Sequence, residues 1–456
     1  MRIETALRPK DLRPQLKRFF ELSGRKILDL QKKWDPANGT PVFTVRGRYT
    51  TRGWTEWTQG FQYGCQLLQF EATGEKRFYE LGLKNTIERM AEHVSHIGVH
   101  DHGFNNVSTY GNIRRFMNTG RVKENADLRA FCELAVKTSG AVQAARWTKL
   151  VDGTGYIHSF NGPHSLFSDT IRSLRALALA HTLGHALMGE NDERVSLLKR
   201  LVEHLDNTLA FNVYYGKGRD TWDVPGRVVH ESIFNVTDGR YRCPSTQQGY
   251  SPFSTWTRGL AWVLAGCGEQ LEFLSALPER SFKGVADRKA LLKRVERGAR
   301  VTAEFLIAHT CTDGIPMWDT GAPGLAHMPG VYTKPSQPRN PYEPVDSSAA
   351  AIAAQGYLRL GEFLKSKDKK ASQRYRQAGL TMARTLFSPP YLSDAPNHQG
   401  LLLHSIYHQP RGWDHAPEKG RAPYGESSLW GDYHAMELAV MVRQLDAGKR
   451  FFRFFD

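Results

Sequence analysis

Apolar residues recur at helical spacing in paired segments down this chain, and the two members of each pair differ in kind. SSAAAIAAQGYLRLG, starting at Ser347, is followed by KKASQRYRQAGLTMARTLF, starting at Lys369. The first is rich in Ala, Ser and Gly, and the second in Arg, Lys and Gln. Small residues let helices crowd into an inner layer, while long charged residues suit an outer layer facing water. The contrast recurs. Helical segments over 57–74 and 75–96 form a pair, joined by a Thr-Gly turn. So do 102–119 with 127–140, 168–183 with 195–209, 254–274 with 288–309, and 347–364 with 373–387. A last segment at 427–445 lacks a successor, and the helical N-terminal stretch at 3–29 is free to close it. Strand-like alternation is weak throughout.

Six hairpins at irregular spacing predict an all-α fold, an (α/α)6 barrel in which inner helices form a ring and outer helices surround it. The whole chain, 1–456, reads as one domain of this kind, with 1–50 as a helical and loop extension packed on it. The stretch 46–57 reads as turn-like and aromatic. Long irregular loops at 213–247 and at the Pro- and Gly-rich 311–343 precede inner helices, where loops commonly carry function.

Composition narrows the function classes. Five cysteines (Cys65, Cys132, Cys243, Cys267, Cys311) are scattered and never paired as CxxC, which argues against a disulfide framework or a zinc ribbon. The N-terminus carries charges throughout and no apolar core, so it does not read as a signal peptide; a cytoplasmic location is expected, periplasmic if the start is processed. The longest apolar run, 260–268, is too short to cross a bilayer. The formal net charge of +15 is dispersed, with no basic arm or helix of a nucleic-acid binder, and suits an anionic small substrate. His100-Asp101-His102 does not have the spacing of a metal site, and there is no HExxH, GxSxG, phosphate loop or dinucleotide fingerprint. No metal and no cofactor are expected.

The inner helices of such a barrel begin at one rim, so residues at their N-termini converge. Those residues include Trp57, His100, Asp101, Asp169, His230, Gln248, Trp256, Arg258 and Trp262. Tryptophan faces cover the apolar face of a pyranose, amides and carboxylates bind hydroxyls, and Arg takes a carboxylate. Asp169 follows Ser168, an N-cap residue type, and precedes the apolar positions Ile171, Leu174 and Ala178. The bland reading is a helix cap. The other is one of two acids sharing a cleft, one of them with a raised pKa and working best somewhat below neutral pH. Asp346 and Asp432 read as structural ties between helix starts and loops.

Four motifs in order add a resemblance. HDHGF at 100–104, QGYSPFSTWTRGLAW at 248–262, DSSAAAIAA at 346–354 and ESSLWGDYH at 426–434 resemble the unsaturated glucuronyl hydrolases, glycoside hydrolase family 88. The resemblance runs from about residue 57 to residue 433, and the second motif is the most specific. It implies an (α/α)6 barrel and removal of a 4,5-unsaturated uronic acid from the non-reducing end of lyase-generated oligosaccharides. In that family an acid protonates C4, water adds at C5, and the hemiketal collapses with loss of the aglycone. Carried over by motif, Asp169 is the acid and the base for water, and Asp101 holds sugar hydroxyls and tunes it. His230 and Gln248 place water and ring, Trp57, Trp256 and Trp262 shape the pocket beside His100, and Arg258 neighbours the substrate carboxylate.

One departure follows Asp169, where Thr170-Ile171-Arg172-Ser173 replaces the apolar residues and Met-Asn usual in the family. Arg172 stands one helical turn on and is expected to pair with Asp169 and lower its pKa. In 404–425, Arg411, Lys419 and Arg421 suggest recognition of a charged, sulfated second sugar; plain solvent exposure explains them as well. The alternatives are an unsaturated rhamnogalacturonyl hydrolase of family 105, an N-acylglucosamine-type epimerase, and a non-catalytic sugar-binding protein on a similar toroid.

Overall fold

The computed structural model describes residues 1–53 and 56–456, with Glu56 described by its backbone only. Trp54 and Thr55, within the turn-like 46–57 stretch, lie outside the described residues.

Helix α1 spans Arg13–Lys33, α2 Gln59–Thr73 and α3 Lys76–Arg89. Then come α4 (His102–Asn106) and α5 (Asn112–Asn118), joined by a π-turn at Val107–Gly111, and α6 (Ala126–Ala145). Helices α7 (Thr170–Ser173) and α8 (Arg175–Thr182) are followed by α9 (Leu197–Asn207). Helices α10 (Thr257–Ala276) and α11 (Arg288–Ala308) form the fourth pair, α12 (Ser347–Leu364) and α13 (Lys369–Leu386) the fifth. Helix α14 (Leu429–Asp446) is the last.

The ring closes through contacts of α2 with α4, α4 with α7, α7 with α10, α10 with α12, α12 with α14, and α14 back to α2. This is the (α/α)6 barrel expected. Helix α1 packs outside α14 and α2, so the N-terminal helix supplies the outer member of the sixth pair.

Inner helices touch at the backbone. A Cβ on Gly60 would stand 2.4 Å from the Asn105 carbonyl oxygen, and one on Gly103 2.4 Å from that of Ser173. Only glycine permits α2, α4 and α7 to meet this closely. The small side chains of α12 are buried all round, as the Ala-rich pattern requires, whereas α13 keeps its Arg and Lys residues on an outer face. Several helices start on side-chain caps: Asp346 accepts from the Ser348 and Ala349 amides, Ser428 from Gly431, and Asp287 and Asp368 from the third residue beyond them.

Small sheets decorate the rim. Ser165–Phe167 pairs antiparallel with Glu231–Phe234, and that strand with Tyr241–Ser245. This three-stranded sheet corrects the reading of 213–247 as wholly irregular. Its strands are three to five residues long, too short for alternation to register in sequence. It fixes Phe167 and, through Ser168 N–H to the His230 carbonyl (2.9 Å), brings His230 beside the start of α7.

Candidate active site

Asp101 and Asp169 occupy the N-cap positions of α4 and α7, and neither makes a capping bond. Ser168 does not cap either; its hydroxyl is buried without a hydrogen-bond partner. The helix-cap explanation therefore fails, although Asp346 shows what a capping Asp looks like in this same chain. Both free carboxylates line one narrow cleft at the rim, with His100 between them. His100 Nε2 lies 3.6 Å from Asp169 Oδ2 and 3.9 Å from Asp101 Oδ1.

The three groups set one another's charge. Burial pushes the Asp101 carboxyl up against the pull of His100, and the negative charge of Asp169 adds to the rise. Burial also opposes ionisation of Asp169, but the ion-pair pull of His100 at 3.6 Å, helped by His230, wins and lowers its pKa. His100 is itself raised: burial disfavours its cation, and the carboxylates of Asp101 and Asp169 outweigh that. The cluster thus retains a proton at higher pH than an ordinary carboxylate, and holds it on the Asp101–His100 side.

Arg172 takes no part in this. It turns toward the barrel axis, where it donates to Glu437 (2.7 Å) and Glu269 (3.1 and 3.2 Å) and meets His434. The expected pairing with Asp169 is corrected accordingly. The inner face of α7 carries Arg172 into a buried ionic cluster, and His100 is what lowers Asp169.

His230 accepts from the Gln247 and Gln248 amides at Nδ1 (3.1 and 3.3 Å), so Nε2 carries the proton. That Nε2–H is buried and unpartnered, one layer behind the residues that line the cleft, beside Phe167 and Trp256. Burial pulls the imidazole down to about 4, so it is neutral at working pH. Its ring lies between Phe167 and Trp256.

Gln248 and Arg258 also border the cleft, but Arg258 is already engaged. Its guanidinium donates to Asp346 (3.1 Å), Gln248 Oε1 (2.8 Å), the Tyr407 carbonyl (2.7 Å) and the Ile406 carbonyl, and lies between the Trp256 and Trp430 rings. It holds together three pieces of the wall. With both terminal nitrogens committed to the protein, it aligns Gln248 and the Tyr407 turn rather than standing open for a substrate carboxylate. The tryptophans fall as expected. Trp57 stacks on Trp430 at 5.1 Å, Trp262 packs on Phe104 at 5.0 Å, and Trp57, Trp256 and Trp262 all face the cleft.

Arg411 does not reach it. It sits exposed at the end of a short turn with its guanidinium 5.3 Å over the Trp413 ring. Arg421 is bound to Glu418 at 2.6 Å. The cleft instead gains Phe160, Phe167, Gln247, Tyr407, His408 and Trp413. His408 is the most pointed of these, buried, with neither ring nitrogen hydrogen-bonded and its pKa brought to about 3 by burial. Asp414 holds this turn by accepting from the Tyr407 and His408 amides (2.5 and 2.9 Å). All of these lie outside the four motifs, on loops or, for Phe167, at the end of a three-residue strand, and an isolated His or Phe there carries no periodic signal.

No family model matches the chain. An unsaturated chondroitin disaccharide hydrolase of Streptococcus agalactiae is 24% identical over 408 residues, 88% of this chain and 84% of that protein. The unsaturated glucuronyl hydrolase of Bacillus sp. GL1, described as responsible for glycosaminoglycan degradation, superposes with a TM-score of 0.67 at 22% identity. The match covers 93% of this chain and 95% of that one. A mutant of the Streptococcus agalactiae unsaturated glucuronyl hydrolase, complexed with dGlcA-GalNAc6S, gives 0.63 at 20% identity over 96% and 93%.

The fold and the similarity to these named hydrolases together make this a helical-toroid protein of the glycosidase class. Within it, the resemblance carried by the four motifs extends over most of the chain, which is similar to the unsaturated glucuronyl and chondroitin disaccharide hydrolases. The likeness supports that reading and not the rhamnogalacturonyl, epimerase or binding-protein alternatives.

Proposed function

We propose that this chain removes the 4,5-unsaturated uronic acid from the non-reducing end of lyase-generated oligosaccharides by hydrating its vinyl ether, with Asp169 as general acid and then base. The observation that carries this is a pair of uncapped carboxylates bridged by His100 in a tryptophan-walled cleft. At rest the shared proton lies on the Asp101–His100 side. An arriving uronate adds a negative charge beside the cluster, which raises its carboxyl pKa values and favours protonated Asp169. Asp169 gives that proton to C4. As a carboxylate it then takes one from the water that adds to C5, and the hemiketal opens with loss of the aglycone. The Gln248 amide orients ring and water, with the neutral His230 behind it accepting from the Gln247 and Gln248 backbone. The ordinary rule relating carboxylate separation to anomeric stereochemistry does not apply, since the anomeric carbon is not attacked.

The substrate class is an acidic, unsaturated uronic-acid oligosaccharide. A sulfated second sugar is consistent with the basic 404–425 stretch, where Arg411 and Lys419 stay exposed. A panel of defined unsaturated disaccharides tests both points, because hydration of the conjugated double bond abolishes its ultraviolet absorbance. Wild-type protein is expected to bleach at least one uronide in the panel. Bleaching of none overturns the reading. Equal kinetics on sulfated and unsulfated forms after joint Ala substitution of Arg411, Lys419 and Arg421, with a sulfate preference in wild type, supports their role; an unchanged sulfate preference removes it.

A further inference from the structure

A second concavity opens on the same rim, outside the catalytic cleft. It has a volume of about 750 Å³ and is formed almost entirely by the Pro-rich loop ahead of α12, with Pro390 as its far wall. The loop ahead of α14 adjoins it, since Arg339 lies over the Tyr424 ring at 5.9 Å.

Its chemistry is one-sided. Lys334 and Arg339 stand exposed on its wall, and among the described residues neither forms an ion pair. The Lys334 ammonium has one hydrogen bond, to the Pro329 carbonyl. Among the described residues no carboxylate lines the space. The nearby acids face inward: Asp313 accepts from Ser336, and Glu343 from the Trp318 indole and the Gly324 amide. Tyr342, 49% exposed, stacks with His327 at 5.2 Å to make an aromatic shelf, and the exposed Gln337 adds an amide. Two unpaired cations, an aromatic face and an amide around a saccharide-sized cavity match what a sugar bearing carboxylate or sulfate presents. Prolines lower the entropy lost on fixing such a loop around a ligand.

We propose that this cavity is a second glycan-binding site, for an internal anionic stretch of saccharide rather than the non-reducing end that enters the cleft. It keeps the protein on acidic polysaccharide while chain ends are processed elsewhere on the rim. The choice of an acidic glycan rests on the function proposed above, whereas the site does not depend on the catalytic residues. The probe is a chondroitin 6-sulfate decasaccharide saturated at its non-reducing end, titrated calorimetrically into full-length protein. The double variant Lys334→Ser with Arg339→Ser, and separately Tyr342→Ala, are expected to weaken binding at least tenfold. Turnover of an unsaturated chondroitin disaccharide is expected to stay within twofold of wild type in both. The decasaccharide is expected not to compete with that disaccharide. Wild-type affinity in either variant, or competitive inhibition by the decasaccharide, overturns the proposal. Failure of the parent reading shows separately, as absence of disaccharide turnover in wild type.

Discussion

His100 decides which acid carries the proton. It lies within 4 Å of both carboxylates, and Asp101 is the first of the charges that raise it. Hydration needs one proton on this cluster, so kcat/KM is expected to fall as pH rises past the raised pKa values of Asp101 and His100. Asp101→Asn removes the main charge holding His100 up, so the alkaline limb is expected to move to lower pH. A pH series on both proteins checks the direction, and a limb unmoved or shifted upward contradicts it. His408 is a substrate contact on this account. His408→Ala is expected to raise KM about tenfold with kcat nearly unchanged, the size of one lost hydrogen bond to a charged or buried group. Steady-state kinetics separate the two constants. Asp101 and Gln248 were legible in sequence because each stands at the opening of a spaced motif ahead of an inner helix, and Asp169 because it precedes an apolar stripe at helical spacing; His230, on a loop outside the motifs, rested on the resemblance. His408 and Trp413 were not legible, because a loop fixes its residues by tertiary clamps such as Asp414 that leave no pattern. Arg172 misled for a related reason: helical spacing puts it near Asp169 along the chain, while the barrel axis offers it two glutamates.

At the scale of elements, the cleft walls are loops pinned by buried acids. Asp414 holds the Tyr407–His408 turn, and Asp319 holds the Gln248–Trp256 loop by accepting from the Tyr250 amide at 2.9 Å. Burial raises both carboxyls to about 6. Asp414→Ala orphans two backbone amides at a cost of about 1–3 kcal/mol each. The turn is then expected to loosen, with KM rising more than kcat falls and Tm lowered by several degrees. Inner helices are tied differently, by Arg172 and Arg175 with Glu269 and Glu437 at the axis. Arg172→Met leaves those glutamates partly unpaired and is expected to cost about 3–5 kcal/mol, read from denaturant unfolding. Retention of wild-type stability would remove this cluster from the account. Helix pairing was readable from the contrast of small and charged residues, but the ionic axis was not: Arg172 and Glu437 look like ordinary surface positions of a helix until the ring closes around them.

The whole molecule carries its own pH dependence. Burial lowers His93, His102, His158, His204, His230, His404 and His408 from 6.5 to about 4 or 3. Between those values and 6.5 the unfolded chain binds more protons than the folded one, so stability is lost as pH falls through this window. Asp319, Asp414 and Glu272, raised to about 6 or 7, act the other way. The histidines outnumber them, so Tm is expected to drop steadily between pH 6.5 and 4. A Tm that holds or rises over this range contradicts the assignment. Activity is then confined from both sides, by unfolding at low pH and by proton loss from the cleft at high pH.

The most direct test of the central claim is hydration of an unsaturated chondroitin disaccharide in D₂O by wild type and by Asp169→Asn, at matched Tm. Wild type is expected to abolish the ultraviolet absorbance and, at early times, to leave deuterium at C4 in one configuration. The variant is expected to be slower by about 10²–10⁴-fold, the usual contribution of a general acid. A variant within twofold of wild type, or a double bond that survives wild-type enzyme, would contradict the account.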